Sequence, residues 1–278
     1  MRIAITGASG FCGGFVARLA EERGDDVICL GRRPGPVGKH VFWDATQINP
    51  GISGCDAVVH LAAAVGDPRP AEEPAFHEVN VEGTRRLMSV AEGRPVVWVS
   101  SASVYRPGPY RSPLTEDHPT DRQRGAYGRT KSMGERIALA AGAVVLRPRA
   151  VYGEGDPHLM PRLRRIVRGG RAWLPGPDVP LSLTAVENLA SACLAALTWP
   201  AGAYNIADDV VYRRDRAVAS VLGVPVRHVP LTIARTAATL PGRTLTRYSV
   251  DQVTDGMVLD IGKALATGWR PTARLTGW

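Results

Sequence analysis

Tyr127 and Lys131 stand four residues apart in Tyr127-Gly128-Arg129-Thr130-Lys131, a segment that reads as the opening of a helix. Residues i and i+4 share one helical face. A cation within ~4–6 Å lowers a phenol pKa from about 10 by one to three units, enough to make Tyr127 a proton donor or acceptor near neutrality. Lys39, Lys131 and Lys263 are the only lysines among 34 basic residues, so the pairing is no by-product of a Lys-rich surface. Upstream, Ser100-Ser101-Ala102-Ser103-Val104-Tyr105 follows a short apolar run and offers hydroxyls at the end of a strand.

A second chemical signal lies at the start of the chain, in Thr6-Gly7-Ala8-Ser9-Gly10-Phe11-Cys12-Gly13. Glycines at 7, 10 and 13 let the backbone turn tightly and approach a pyrophosphate, whose charge meets the amides and positive end of the helix beginning near Phe11. Gly7, Ser9, Gly10, Phe11, Cys12 and Gly13 are therefore candidate dinucleotide contacts. The spacing, Gly-x-x-Gly-x-x-Gly, departs from the Gly-x-Gly-x-x-Gly fingerprint. About 20 residues on, where an acidic residue would take the adenosine ribose, the chain reads Leu30-Gly31-Arg32-Arg33-Pro34. Arg32 and Arg33 suit a 2′-phosphate, which predicts NADP(H) over NAD(H). Asp44, after the third strand, is a candidate acceptor from the adenine amino group.

These groups need a scaffold, and the period of the sequence supplies one. Arg2 to Thr6, Asp26 to Leu30, His40 to Trp43, Ala57 to Leu61, Pro95 to Ser100 and Ala143 to Arg147 read as buried strands. Helical stretches at Gly13 to Arg23, Ala75 to Glu92 and Tyr127 to Ala141 lie between them. Such alternation predicts an α/β fold, a doubly wound parallel sheet of Rossmann type. Its ligand edge is the carboxyl end of the strands, where Tyr127 and Lys131 would point.

Beyond Arg147, Pro148, Gly153, Gly155, Pro157 and Pro161 break the rhythm before helices at His158 to Arg168, Val186 to Leu197 and Arg213 to Leu222. The reading is a dinucleotide-binding domain over 1–150 and a smaller substrate lobe over 151–278, some elements returning to the sheet. Pro-rich loops at Gly66 to Pro74 and Arg106 to Gly125 are candidate substrate loops.

Taken together, Thr6 to Gly13, Val59-His60-Leu61-Ala62-Ala63, Asn80-Val81-Glu82-Gly83-Thr84, Val99 to Tyr105, Tyr127 to Lys131, Leu146-Arg147-Pro148, Tyr152-Gly153 and Val186-Glu187-Asn188 resemble the short-chain dehydrogenase/reductase superfamily, in its extended, epimerase/dehydratase-like branch. The resemblance covers nearly the whole chain. It implies Tyr127 as general acid/base, Lys131 as holder of the nicotinamide ribose, and Ser101, four residues before Tyr105, as hydrogen-bond donor to the reacting oxygen. It implies cofactor contacts at Leu61, Ala62, Ala63, Asn80, Ser100, Pro148 and Val151, and substrate contacts at Ser103, Tyr152 and His158. Related enzymes often pair through the two helices expected here at Ala75 to Glu92 and Tyr127 to Ala141, so the resemblance also implies a homodimer.

Sugar-nucleotide members often carry an Asn just before the Tyr-Gly, but Ala150-Val151 offers no amide. Gly155 to Leu163, Leu245 to Tyr248 and the stretch from Asp260 to Pro271 look more like bacterial 3β-hydroxysteroid dehydrogenase-like and 3-oxoacid-reducing relatives. The leading expectation is an NADP(H)-dependent oxidoreductase acting on a largely apolar ketone or secondary alcohol. A nucleotide-sugar epimerase or 4-ketoreductase is the enzyme alternative. A cofactor-sensing or nucleic-acid-binding protein on the same fold is the alternative from another class, disfavoured by the full Ser/Tyr/Lys set.

Composition bounds the rest. The chain has 278 residues, 45% hydrophobic and 22% charged, which describes a globular protein with a sizeable core. Cys12, Cys29, Cys55 and Cys193 have no paired spacing, so neither a disulfide framework nor a zinc site is expected. No apolar run approaches the ~20 residues that span a bilayer, and Met1 leads straight into Ile3 to Ile5. A cytoplasmic setting without a signal peptide is the expectation. Net charge is +8, with basic residues dispersed apart from Arg162 to Arg171 and Arg213 to Arg216. Leu163, Ile166 and Val167 fall at helical spacing, so the first cluster reads as the wet face of an amphipathic helix rather than a nucleic-acid surface.

Overall fold

A computed structural model describes residues 1–66, 70–239 and 246–275. Leu245 and part of the Gly66–Pro74 loop lie outside the described residues. The first half alternates as the periodicity demands: β1 (Arg2–Thr6), α1 (Phe11–Glu22), β2 (Asp26–Gly31), β3 (Lys39–Phe42), β4 (Ala57–His60), α2 (Glu73–His77), α3 (Gly83–Ala91), β5 (Val96–Val99), α4 (Ala126–Ala140) and β6 (Val144–Pro148). The second half contributes β7 (Val151–Tyr152), α5 (Leu159–Arg165), β8 (Val167–Arg168), β9 (Arg171–Pro175), β10 (Pro180–Leu181), β11 (Thr184–Ala185), α6 (Val186–Ala195) and β12 (Gly202–Ile206). It closes with β13 (Tyr212–Arg213), α7 (Arg214–Leu222), β14 (Val226–Val229), α8 (Leu231–Ala237), α9 (Arg247–Thr254) and α10 (Gly262–Ala266).

Seven parallel strands form one sheet in the order β12-β6-β5-β4-β1-β2-β3. β12 belongs to the later half of the chain yet pairs with β6 from Gly202 opposite Val144 to Ile206 opposite Pro148. Both sheet faces are apolar and covered, as all-parallel sheets require. On one face Val16, Ala17 and Ala20 of α1 and Leu189 and Cys193 of α6 pack over Ile3, Ile5 and Val59. On the other, Leu87 and Ala91 of α3 and Ala138 of α4 pack over Ala4, Val58, Trp98 and Val145.

Three expectations are corrected. The helix expected from Ala75 to Glu92 is interrupted by a π-helical turn at Glu78–Glu82, which turns Asn80 into the protein, where it is 1% exposed. The helix expected from His158 to Arg168 stops at Arg165, because Gly169 and Gly170, both at positive φ, turn the chain into a hairpin that pairs Arg168 with Arg171. Arg162, Arg164, Arg165, Arg168 and Arg171 are all exposed, with Leu163 and Ile166 turned to a small core around Ala172 and Leu174, so the wet face spans a helix and a hairpin. The third strand runs Lys39–Phe42, and Trp43 follows it as a buried anchor bonded to the Ile48 carbonyl at 2.8 Å.

Candidate active site

The turn between β1 and α1 is held by backbone contacts too close for side chains. Gly7 has φ of 71°, and a Cβ at Gly13 would lie 2.2 Å from the Gly7 carbonyl oxygen. Gly10 caps α1 without a side-chain bond, and no acidic residue occupies the first turn, so the opening amides could take an anion with no internal competitor. That cradle fits the pyrophosphate of a dinucleotide. Thr6 ties it to the next strand: its hydroxyl accepts from Leu61 and Ala62 N–H at 3.1 and 3.0 Å and lies 2.8 Å from His60 Nδ1. With both lone pairs used, the Thr6 proton goes to Nδ1, and the neutral His60 carries its own on Nε2. Burial, with the charge of Lys131 adding, pushes His60 down to about 3.

Arg32 and Arg33 follow β2 and are exposed. Asp44 accepts from Thr46 N–H and hydroxyl at 2.9 and 2.8 Å, and these bonds, with Arg32 nearby, hold its carboxyl below the ordinary range. The carboxylate thus closes its own turn as well as bordering the Arg32 position. Cys12 and Cys193 are pushed up by burial, Cys12 to about 12, which leaves these thiols protonated. Among the described residues no cluster of His, Cys, Asp and Glu could hold a metal.

At the end of β5, Ser101 caps a 3₁₀ turn (Ala102–Val104) by accepting from Ser103 N–H at 3.1 Å, which leaves its own hydroxyl proton to donate. The first turn of α4 presses against this turn because residue 128 is glycine: a Cβ there would lie 2.6 Å from the Ser103 carbonyl. Tyr127 is carried on that turn. One turn on, Lys131 is 2% exposed; its Nζ donates to the Val99 carbonyl at 2.7 Å and lies 3.7 Å from the centre of the Trp98 ring. Burial lowers Lys131 to about 7, with Glu135 opposing. An ammonium has three donors, and the carbonyl uses one.

Asn80 fastens these pieces together. Its amide accepts from Ala64 N–H at 2.8 Å and donates to the Ala64 carbonyl at 3.1 Å and to Thr130 Oγ at 3.0 Å. The side chain therefore holds the Leu61–Ala64 loop to α4. Ser100 is buried, and its hydroxyl donates to Glu135 at 2.5 Å. Glu135 also receives Arg147 Nη2 at 2.5 Å, and Arg147 Nη1 donates to Tyr105 OH at 3.0 Å. Tyr105 OH donates in turn to Asn205 at 2.6 Å, and burial pushes that phenol up to about 12. Tyr105 is a structural phenol, in contrast to Tyr127 on the site's edge.

Next to Ser103 lies a narrow cleft lined by Tyr110, Arg124, Arg149, Asp251, Asp255 and Met257 among others. Arg124 is ion-paired with Asp251 and lies 3.6 Å from Asp255. Burial, with Asp251 beside it, raises the Asp255 carboxyl. Arg149 donates to the Ser182 and Gln252 carbonyls at 2.9 and 3.1 Å. Apolar and aromatic side chains, Ala102, Pro107, Tyr110 and Met257 among them, share the lining with these charged groups.

Pro148 ends β6 and is buried, and Val151 packs on the main core. Between them Ala150 adopts φ of 45°, a costly conformation for a residue with a Cβ. Tyr152 is 4% exposed and its hydroxyl donates to Asp208 at 2.7 Å, in a cluster with Asn188 and Tyr212. His158 is exposed at the start of α5, its N–H bound by Asp156, which caps that helix.

With this geometry in view, the NAD dependent epimerase/dehydratase family matches residues 3–207. The chain belongs to that family. Among curated relatives of this epimerase/dehydratase enzyme, a 4-hydroxy-2-methyl-3-oxo-4-farnesyl-3,4-dihydroquinoline-1-oxide ketoreductase of Stigmatella aurantiaca is 30% identical over 91% of this chain and 83% of its own length. A probable dTDP-4,6-dihydroxy-2-methyloxan-3-one 4-ketoreductase of Streptomyces antibioticus is 38% identical over 61% of this chain and 58% of that protein. A short-chain dehydrogenase/reductase superfamily structure from Agrobacterium tumefaciens, solved with bound NAD, superposes with a TM-score of 0.78 at 23% identity, covering 99% of this chain and 93% of that one. The chain is thus an extended short-chain dehydrogenase/reductase with ketoreductase relatives. Among the described residues no helix is long and apolar enough to cross a membrane.

Sequence reasoning missed Trp98, Glu135 and the charged cleft. A tryptophan in a buried strand reads only as core, and Glu135 could have been found as the i+4 neighbour of Lys131. Asp251 and Asp255 carry no local signal, because they reach the site through the tertiary fold.

Proposed function

We propose that this enzyme reduces a ketone, or oxidises the matching secondary alcohol, with NADP(H). The observation that carries the reading is the contact of Gly128 with the Ser103 carbonyl, which brings Tyr127 to the serine turn with Lys131 one helical turn behind. The bound nicotinamide would supply or accept the hydride. The chain's part is proton transfer and orientation. Ser101 Oγ–H and Tyr127 O–H donate to the ketone oxygen, Tyr127 gives up its proton as the alkoxide forms, and the Lys131 ammonium stabilises the phenolate left behind.

The exposed Arg32 and Arg33, with no carboxylate at the end of β2, support a 2′-phosphate and hence NADP(H). The cleft lining supports a substrate with an apolar body and a polar or charged end, Met257 and Tyr110 facing the first and Arg124 and Arg149 the second. A nucleotide-linked 4-ketosugar is the second reading, favoured by these same guanidiniums and by the dTDP-linked 4-ketoreductase relative.

Tyr127→Phe should lower kcat by about 10²–10⁴ while NADPH binding stays near normal; unchanged kcat overturns the acid/base assignment. In calorimetric titrations NADP⁺ should bind at least tenfold tighter than NAD⁺, a difference of ~1.4 kcal/mol. Preference for NAD⁺ overturns the role given to Arg32 and Arg33.

A further inference from the structure

Lys131 is a buried cation resting on an aromatic ring, and everything behind that ring is fixed. Trp98 is fully buried on β5, the residue before the Val99 carbonyl that receives Nζ. Its indole N–H donates to Thr84 Oγ at 3.1 Å, and Thr84 donates to the Asn80 carbonyl at 2.8 Å. The His60 ring stacks on it with centroids 6.3 Å apart and planes at 24°, and Trp43 meets His60 edge-on at 6.0 Å. On the helix side, a Cβ at Gly134 would come within 3.0 Å of the indole, so α4 lies directly on the ring. A row of rings from β4 and β5, with Trp43 just beyond β3, thus ends under the Lys131 ammonium.

We propose that Trp98 is a positioning residue: its indole face carries the Lys131 ammonium, aims it at the substrate edge and keeps it charged where water is excluded. The proposal rests on the reading of Lys131 as the partner of Tyr127. A desolvated ammonium favours losing its proton, and the negative face of an indole, the best aromatic partner for a cation, opposes that loss. The groups facing Lys131 are few. Glu135 and Tyr127 lie one turn away on its own helix, the first favouring the charge; His60 on β4 is neutral; and β5 offers the Val99 carbonyl and the ring. Burial still brings Lys131 to about 7, so the ring acts in the pH range where the enzyme would work.

The test uses the full chain with ¹⁵N,¹³C-lysine, whose side-chain spectrum carries the signals of Lys39, Lys131 and Lys263 only. Lys263 lies 4.5 Å from the centre of the Tyr204 ring, so the spectrum is also recorded for Lys263→Met; there one signal should be displaced upfield by the indole and titrate near neutrality. Trp98→Leu should abolish the displacement and lower the titration midpoint by about one pH unit. Trp98→Phe, which loses the same bond to Thr84 but keeps a ring, should lie between. In ketone reduction with NADPH, the alkaline limb of kcat should move down by the same amounts, with the KM for the ketone unchanged. A midpoint left in place or raised in both variants overturns the proposal. So does the absence of a ring-shifted lysine in the Lys263→Met protein, a readout that changes only an exposed side chain. If instead Lys131→Met retained turnover, the reading of the site would fail, while the lysine spectra would still decide whether Trp98 holds Lys131.

Discussion

Two buried cations lie close to the substrate edge and are treated differently. Arg147, 4% exposed on β6, meets Glu135 through its Nε and Nη2 donors, and its Nη1 donors reach Tyr105 and the Glu116 carbonyl. Lys131, 2% exposed on α4, meets a carbonyl and a ring face. A guanidinium matched by a carboxylate is locked into one geometry and one charge state. An ammonium on a ring keeps donors to give and a proton near the point of release. The first arrangement fastens α4 to β6; the second leaves a charge available for chemistry.

Breaking the locked pair should have the largest effect on stability. Arg147→Met leaves Glu135 buried without its partner and should cost about 3–5 kcal/mol, read as a lower urea midpoint. Lys131→Met should act in the opposite direction, removing turnover while raising Tm. The sign follows from linkage. Lys131 is lowered from 10.5 to about 7 in the fold, so between those values the unfolded chain binds the extra proton and wild-type stability rises with pH. The gain from Lys131→Met should therefore be greatest at or below about pH 7 and fade toward 10.5. A Tm that falls at neutral pH would place Lys131 with Arg147 as a structural cation.

A smaller, graded effect belongs to His60. Its folded value of about 3 lies below the ordinary 6.5, so the unfolded chain binds the extra proton between them. Stability should fall on acidification through that window by up to about 1.4 kcal/mol per pH unit. His60→Asn, which can still accept from Thr6, should flatten the slope of urea midpoint against pH. An unaltered slope would mean that other groups set the acid limit.

The glycine cradle and the charged cleft differ as much in legibility as in composition. Gly7, Gly10 and Gly13 sit between one strand and its helix, so the cradle is a local object and its residues are adjacent in the sequence. The cleft draws Ser103, Arg149 and Asp255 from three distant segments, and no short pattern contains them. The same contrast explains two hydroxyls. Tyr152 and Ser100 stand inside motif segments, and only the fold shows that their hydroxyls turn to Asp208 and Glu135. The π-turn at Glu78–Glu82 was invisible because helical periodicity carries on across it.

What the sequence by itself determined is the doubly wound sheet, the glycine cradle and the Tyr127–Lys131 face, since each follows from spacing within one strand-helix unit. Only the tertiary structure decided which buried polar group is matched and which is left poised, that Trp98 lies beneath Lys131, and that charged residues close the cleft. Desolvation and partner geometry settle those outcomes, and both depend on which segments the folded chain brings together.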